Sequence, residues 1–148
     1  QSSSLGRLFD AASWLLTGIT PTFEAHAAMH LEYVASRVNH ARGTTSAATS
    51  FPDLFMELLS PGDISERALR FHHGVARLLA AQLRAAAEAA GAHTIGVTGG
   101  CALNRLLMRF LQGELAEYHL LTHHHVPAND GGLSLGQVMA GRRYASNQ

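Results

Sequence analysis

The run from His93 to Asn104, H-T-I-G-V-T-G-G-C-A-L-N, does most to limit what this chain can become. Thr94 to Thr98 is a short apolar stretch of strand character. Gly99 and Gly100 follow. Leu103, Leu106, Leu107, Phe110 and Leu111 then recur on one helical face, predicting a helix from about Ala102 to Glu117. The pattern is strand, tight glycine turn, helix. A helix start presents unpaired N–H groups and the positive end of a dipole. Glycines also let a ligand approach the backbone. The turn therefore suits an anionic or nucleotide ligand, and it equally suits a plain turn that needs glycine for its geometry.

Tyr118 to Thr122 predicts a second strand. Strand–helix–strand at this spacing implies a parallel pair. Two strands rarely make a stable sheet alone. Either helices cover them, or the sheet has further strands that this chain lacks. The second choice leaves an exposed sheet edge.

The other segments read as helices. Ser4 to Thr17 is one, capped by Ser2, Ser3 or Ser4 and ended by Gly18. Thr22 is the expected N-cap of a second, to about Arg37, burying Phe23, Ala27, Leu31, Val34 and Val38. Residues 39–50 are small and polar, and read as a loop with freedom to move. Asp53 to Leu59 is a short helix. Asp63 and Glu66 form a capping-box pattern for the longest, Ile64 to Ala90, with Leu69, Val75, Leu78, Leu79 and Leu83 as its stripe. Asn129-Asp130-Gly131-Gly132 is a second glycine turn, followed by a helix from Leu133 to about Tyr144, and Ala145 to Gln148 should fray. The fold class is helix-dominated α/β, with about six helices and a short two-stranded parallel sheet. Residues 1–148 read as a single domain.

Charge narrows the partners. Eleven basic and eleven acidic residues balance, so no electrostatic track for nucleic acid or an anionic membrane is expected. No run is long enough to span a bilayer and the first residues do not resemble a secretory leader, so a cytoplasmic home is the simplest expectation. A single cysteine, Cys101, excludes an internal disulfide or a cysteine zinc cluster.

Five motifs, standing in one order over nearly the whole chain, resemble the C-terminal end of the HypF carbamoyltransferase family. They are Ser2-Ser3-Ser4-Leu5-Gly6-Arg7-Leu8-Phe9-Asp10-Ala11, Phe23-Glu24-Ala25 with Ala27-Ala28, Phe71-His72, Thr98-Gly99-Gly100 through Asn104-Arg105-Leu106-Leu107, and Pro127-Ala128-Asn129-Asp130-Gly131-Gly132 through Gln137. The resemblance implies the second lobe of an actin-like ATPase fold, with its first lobe and leading strands upstream of Gln1. It also implies a role in maturing nickel–iron hydrogenases. There the family uses carbamoyl phosphate and ATP, through carbamoyl-adenylate, to carbamoylate the C-terminal cysteine of a HypE-like acceptor.

By resemblance, Gly99, Gly100 and Asn104 face the nucleotide, and Asp130 ligates a divalent metal, Mg or Fe. Asp130 could instead cap the last helix. Asp10 and Glu24 are expected at the nucleotide, although Asp10 could simply pair with Arg7. Arg7 would meet a phosphate or carbamoyl group. No side chain is expected to act as a covalent catalyst. Cys101 reads as packing, although a helix start can lower a thiol pKa. His26 and His30 sit one turn apart, and a surface pair is the simpler reading than zinc. His123-His124-His125 are either donors near phosphate or ordinary loop.

Three functions remain open at this point. The first is part of a HypF-like enzyme. The second is a truncated nucleotide-binding or docking module. The third is an O-carbamoyltransferase or threonylcarbamoyl-transferase relative. The expected partners are the acceptor protein and either the missing lobe or a second copy at the sheet edge.

Overall fold

A computed structural model describes residues 4–38 and 45–146. The alternative caps Ser2 and Ser3, the first half of the 39–50 loop and the last two residues fall outside the described residues. The chain runs α1 (Leu5–Thr17), α2 (His26–Ser36), α3 (Phe51–Leu59), α4 (Ile64–Ala90), β1 (Thr94–Gly96), α5 (Arg105–Glu114), β2 (His119–Leu121) and α6 (Leu133–Ala145). Short 3-10 turns precede α5, at Gly100–Leu103, and α6, at Asp130–Gly132. The fold is helix-dominated α/β, as expected. No helix among the described residues is long and apolar enough to cross a membrane.

Helix α4 is the spine. Asp63 Oδ1 accepts from Ser65 N at 2.9 Å and Glu66 N at 3.1 Å, so the cap read in the sequence forms. Gly91 ends the helix in the left-handed region, with Ala92 N donating to Ala87 O. Helices α2, α3 and α5 all pack on α4, and α1 packs on α2. Being covered on several sides, α4 buries Ala68, Leu69, Phe71, His72, Val75, Ala76 and Ala80. Leu78, Leu79 and Leu83 lie only half-buried at the margin. Small residues occupy the closest helix approaches, and the large ones fill the gaps beside them.

Gly74 marks the tightest approach. A Cβ there would stand 2.2 Å from Leu54 Cδ2 and 2.6 Å from Ser46 Oγ. Alanine would gain about 1 kcal/mol in helix propensity. Overpacking costs about 1–3 kcal/mol, and both neighbours are buried and held, so the clash should win. Gly74→Ala is expected to lower the urea midpoint; a raised midpoint would mean that α3 can retreat freely.

Residues 45–50 are not the loose loop that the sequence suggests. Ser46 is 3% exposed. Its hydroxyl donates to Glu57 Oε2 at 2.7 Å, Ala47 N donates to Glu57 Oε1 at 2.8 Å, and Arg77 donates to Ser46 O. The polarity that reads as solvent exposure is spent on fixed partners.

Helix α2 starts later than Thr22 predicts. Ala25 takes φ 62° at its N-cap, and Thr22 N donates to His26 Nδ1 at 3.2 Å. Phe23 stacks on His26 with ring centroids 4.4 Å apart and stays 56% exposed, not buried. His26 serves this turn. Among the described residues no group of three His, Cys, Asp or Glu stands together to hold a metal.

The strands are shorter than predicted and parallel, with Thr94 opposite His119 and Gly96 opposite Leu121. Among the described residues they pair only with each other. Leu106, Leu107 and Leu111 join the core, but Leu103, read as part of the same face, is exposed. No residue of α6 is buried, although Leu133, Leu135, Val138 and Met139 lie on it.

Candidate functional site

The two glycine turns lie side by side beyond the C-terminal ends of the parallel strands. Gly99 N donates to Ala128 O at 2.8 Å. Thr98 Oγ1 lies 3.0 Å from His123 Nε2 and donates to Ala128 O at 3.4 Å. Gly99 needs its freedom, with φ at 99°. Gly132 is needed for space: a Cβ would stand 2.8 Å from Pro127 O. Each turn is therefore shaped by its glycine, and one is hydrogen-bonded to the other.

Asp130 projects from the second turn. Asn129, not Asp130, caps it, with Asn129 Oδ1 accepting from Gly131 N at 3.2 Å. Helix α6 itself has Gly132 at its N-cap and no side-chain cap, so Asp130 does not cap the last helix. The exposed Asp130 carboxylate makes no hydrogen bond or ion pair among the described residues.

Helix α1 reaches the first turn. A Cβ on Gly6 would lie 4.0 Å from Cys101 Sγ. One turn further along α1, Asp10 Oδ2 pairs with Arg7 Nη1 at 3.1 Å. Burial, and then the Asp10 carboxylate, push the Cys101 thiol pKa up. The lowering expected of a helix start does not occur, because Cys101 sits in a half-buried 3-10 turn beside a negative charge. A neutral thiol is a poor nucleophile.

Asn104 stands elsewhere than expected. It is not a residue inside α5 but the N-cap of α5, its side chain turned inward. Oδ1 accepts from Leu107 N at 2.9 Å, and Nδ2 lies 3.1 Å from His72 Nε2. Arg105 N and Leu106 N donate to Glu32 Oε1 at 2.8 and 3.4 Å. The first N–H groups of α5 are thus taken by side chains. Sequence reading missed Glu32, which lies 73 residues from Arg105 and carries no local signal.

Glu24 is not brought to the turns by any described contact. It sits exposed before α2, whereas Glu32 near the other end of α2 meets α5. At roughly 1.5 Å per residue, about 9 Å of helix separates His26 from Glu32. Gly99 is bonded to Ala128, two residues before Asp130, and Asp10, paired with Arg7, acts on Cys101 beside Gly100; no described contact links Glu24 to any of them.

An open cleft of about 450 Å³ lies between α5 and the 122–128 loop and adjoins the turns through Ala102, Leu103 and Ala128. Met108, Gln112 and Val97 form part of its lining, with His123, His124 and His125 beside them. The three histidines weighed as donors near phosphate line it, whereas Gly99, Gly100, Asn104, Asp10, Glu24, Arg7 and Asp130 do not.

The arrangement is a helix-backed, two-turn wall with one paired and one free carboxylate. The fold that carries it matches solved proteins. A crystal structure of T. kodakarensis HypF matches with a TM-score of 0.80 and 25% identity, over 98% of this chain and 20% of that one. A structure described as full-length HypF in the phosphate- and nucleotide-bound form matches at 0.78 and 26%, over 91% and 20%. Residues 1–137 match the family model described as carbamoyltransferase, Kae1-like domain, second subdomain. The chain belongs to the HypF carbamoyltransferase family. It is 38% identical to carbamoyltransferase HypF of Rhodobacter capsulatus, over 93% of this chain and 19% of that protein. It is 30% identical to the probable carbamoyltransferase HypF of Methanocaldococcus jannaschii, over 94% and 20%. The chain therefore spans about a fifth of the length of these relatives.

Proposed function

We propose that this chain supplies one wall of a HypF-type carbamoyl-transfer site, as the C-terminal lobe of an actin-like ATPase fold. The observation that carries the reading is the pair of hydrogen-bonded glycine turns, with the Arg7–Asp10 pair on the helix that reaches the first turn and the free Asp130 carboxylate in the second. The backbone of Gly99 and Gly100 lies beside ATP or carbamoyl-adenylate. Asp10 accepts from ribose hydroxyls, and Arg7 meets phosphate or the carbamoyl group. Glu24 reaches the nucleotide only if a more distant part of it extends along α2. The nucleotide-bound state named for one solved relative supports this reading.

Asp130 would be this chain's ligand to a divalent ion, Mg or Fe. Mg²⁺ usually keeps several waters and is held by one or two carboxylates together with substrate phosphates, so a lone carboxylate fits it only in company with the nucleotide. Nothing proposed for this chain depends on the ion.

Catalysis at such a wall is positioning and electrostatics, with no covalent protein nucleophile. The whole reaction ends on the C-terminal cysteine of a HypE-like acceptor, in the cytoplasm, during hydrogenase maturation. It requires the opposite wall. The bare apolar surface of α6 and the open edges of β1 and β2 are where the first lobe, or a second copy of the chain, would sit.

Titration calorimetry of the chain with Mg-ATP is the test. Binding should weaken about ten-fold in Asp10→Ala, a loss of about 1.4 kcal/mol. Equal affinity in the variant would remove Asp10 from the site, and no heat in the unmodified chain would leave the wall without an independent nucleotide site.

A further inference from the structure

We propose that His72 and Asn104 form a buried lock that fixes the glycine turn, making His72 a positioning residue of the candidate site. The inference rests on the reading above, since it concerns the same turn. Its bonding is directional throughout. His72 is 0% exposed, and its Nδ1 lies 2.8 Å from Ala68 O. A carbonyl only accepts, so Nδ1 carries the hydrogen and Nε2 of the neutral ring keeps its lone pair. Nε2 therefore accepts from Asn104 Nδ2 at 3.1 Å. That leaves Asn104 Oδ1 to accept from Leu107 N at 2.9 Å. A flipped amide would set oxygen against a lone pair and NH₂ against an N–H. One tautomer and one amide orientation satisfy every group.

The consequence is geometric. The turn is held at Gly99 by Ala128 O and at Asn104 by His72, with Gly100–Leu103 spanning the two anchors. Phe9 of α1 packs on His72 with ring centroids 5.1 Å apart, and Asp10 is the next residue. The helix carrying the candidate ribose contact and the glycine turn thus register against one imidazole. Burial keeps that ring neutral at physiological pH.

Two isosteric variants test the lock in the 148-residue chain. His72→Gln places an oxygen near the Nε2 position, where it can still accept from Asn104. His72→Asn restores only the Nδ1 side. Amide exchange at Leu107 should rise about ten-fold or more in His72→Asn, in line with a lost cap, and stay within about three-fold in His72→Gln. Affinity for Mg-ATP should follow the same order. Like behaviour of the two variants at Leu107, or a hydrogen on Nε2 in the ¹⁵N spectrum of the unmodified chain, would overturn the proposal. If the unmodified chain binds no Mg-ATP, the nucleotide reading fails, while exchange and tautomer still decide the lock.

Discussion

Phe71→Ala should cost about 3–5 kcal/mol of folding stability, a large part of the roughly 5–15 kcal/mol that holds such a domain. Phe71 is 1% exposed on α4. Its ring stands edge-on to Phe9 of α1 at 5.5 Å and to Phe55 of α3 at 5.9 Å. Three helices meet through this side chain. Truncation removes its transfer energy and leaves a void that none of the three can fill without releasing the others. Urea unfolding of the variant gives the number directly. A loss below about 1 kcal/mol would mean that the helices collapse readily around the gap.

Acid should weaken the fold through His72. Burial lowers its pKa from 6.5 to about 4. Between those values the unfolded chain binds a proton that the folded chain refuses. Stability from this group is therefore full above pH 6.5 and is lost as pH falls toward 4. The whole window amounts to about 3 kcal/mol. His73 shifts the same way, burial being the larger cause and the Glu114 carboxylate opposing it. Asp53, lowered first by its bond from Thr49, and Glu117, lowered first by its bond from Arg84, act further down, as pH falls through the carboxylate range. Unfolding at pH 7 and pH 5 should show the loss, and His72→Gln should flatten most of the slope. An unchanged slope in that variant would assign the acid sensitivity to other groups.

What could be read in advance followed local rules. Asp63 and Gly91 bound α4 because capping is settled within one turn of chain. The two glycine turns and the parallel pairing were legible for the same reason. Most of the misses had distant causes. Asn104 reads as a residue inside the helix, and its place as the cap of α5 carries no local signal for its partner, His72, 32 residues away. Phe23 matches a buried helical position, but it lies ahead of the helix and stacks on His26, the first residue of α2. Ser46 is in a loop, as read, but Glu57, His73 and Arg77 hold that loop fixed. Glu24 entered the candidate site by motif alone, and no described contact ties it to the turns.

Helix α6 has a further consequence for Asp130. Thirteen residues without one buried side chain form a helix of marginal stability in water. Its melting exposes almost no apolar area, so it stands outside the cooperative unit built on α4. Asp130 lies at the seam between that stiff body and a segment able to fray on its own. A ligand gripping both turns would have to still that seam, and part of its contact energy would be absorbed as lost chain entropy. Affinity and the ordering of α6 would then rise together.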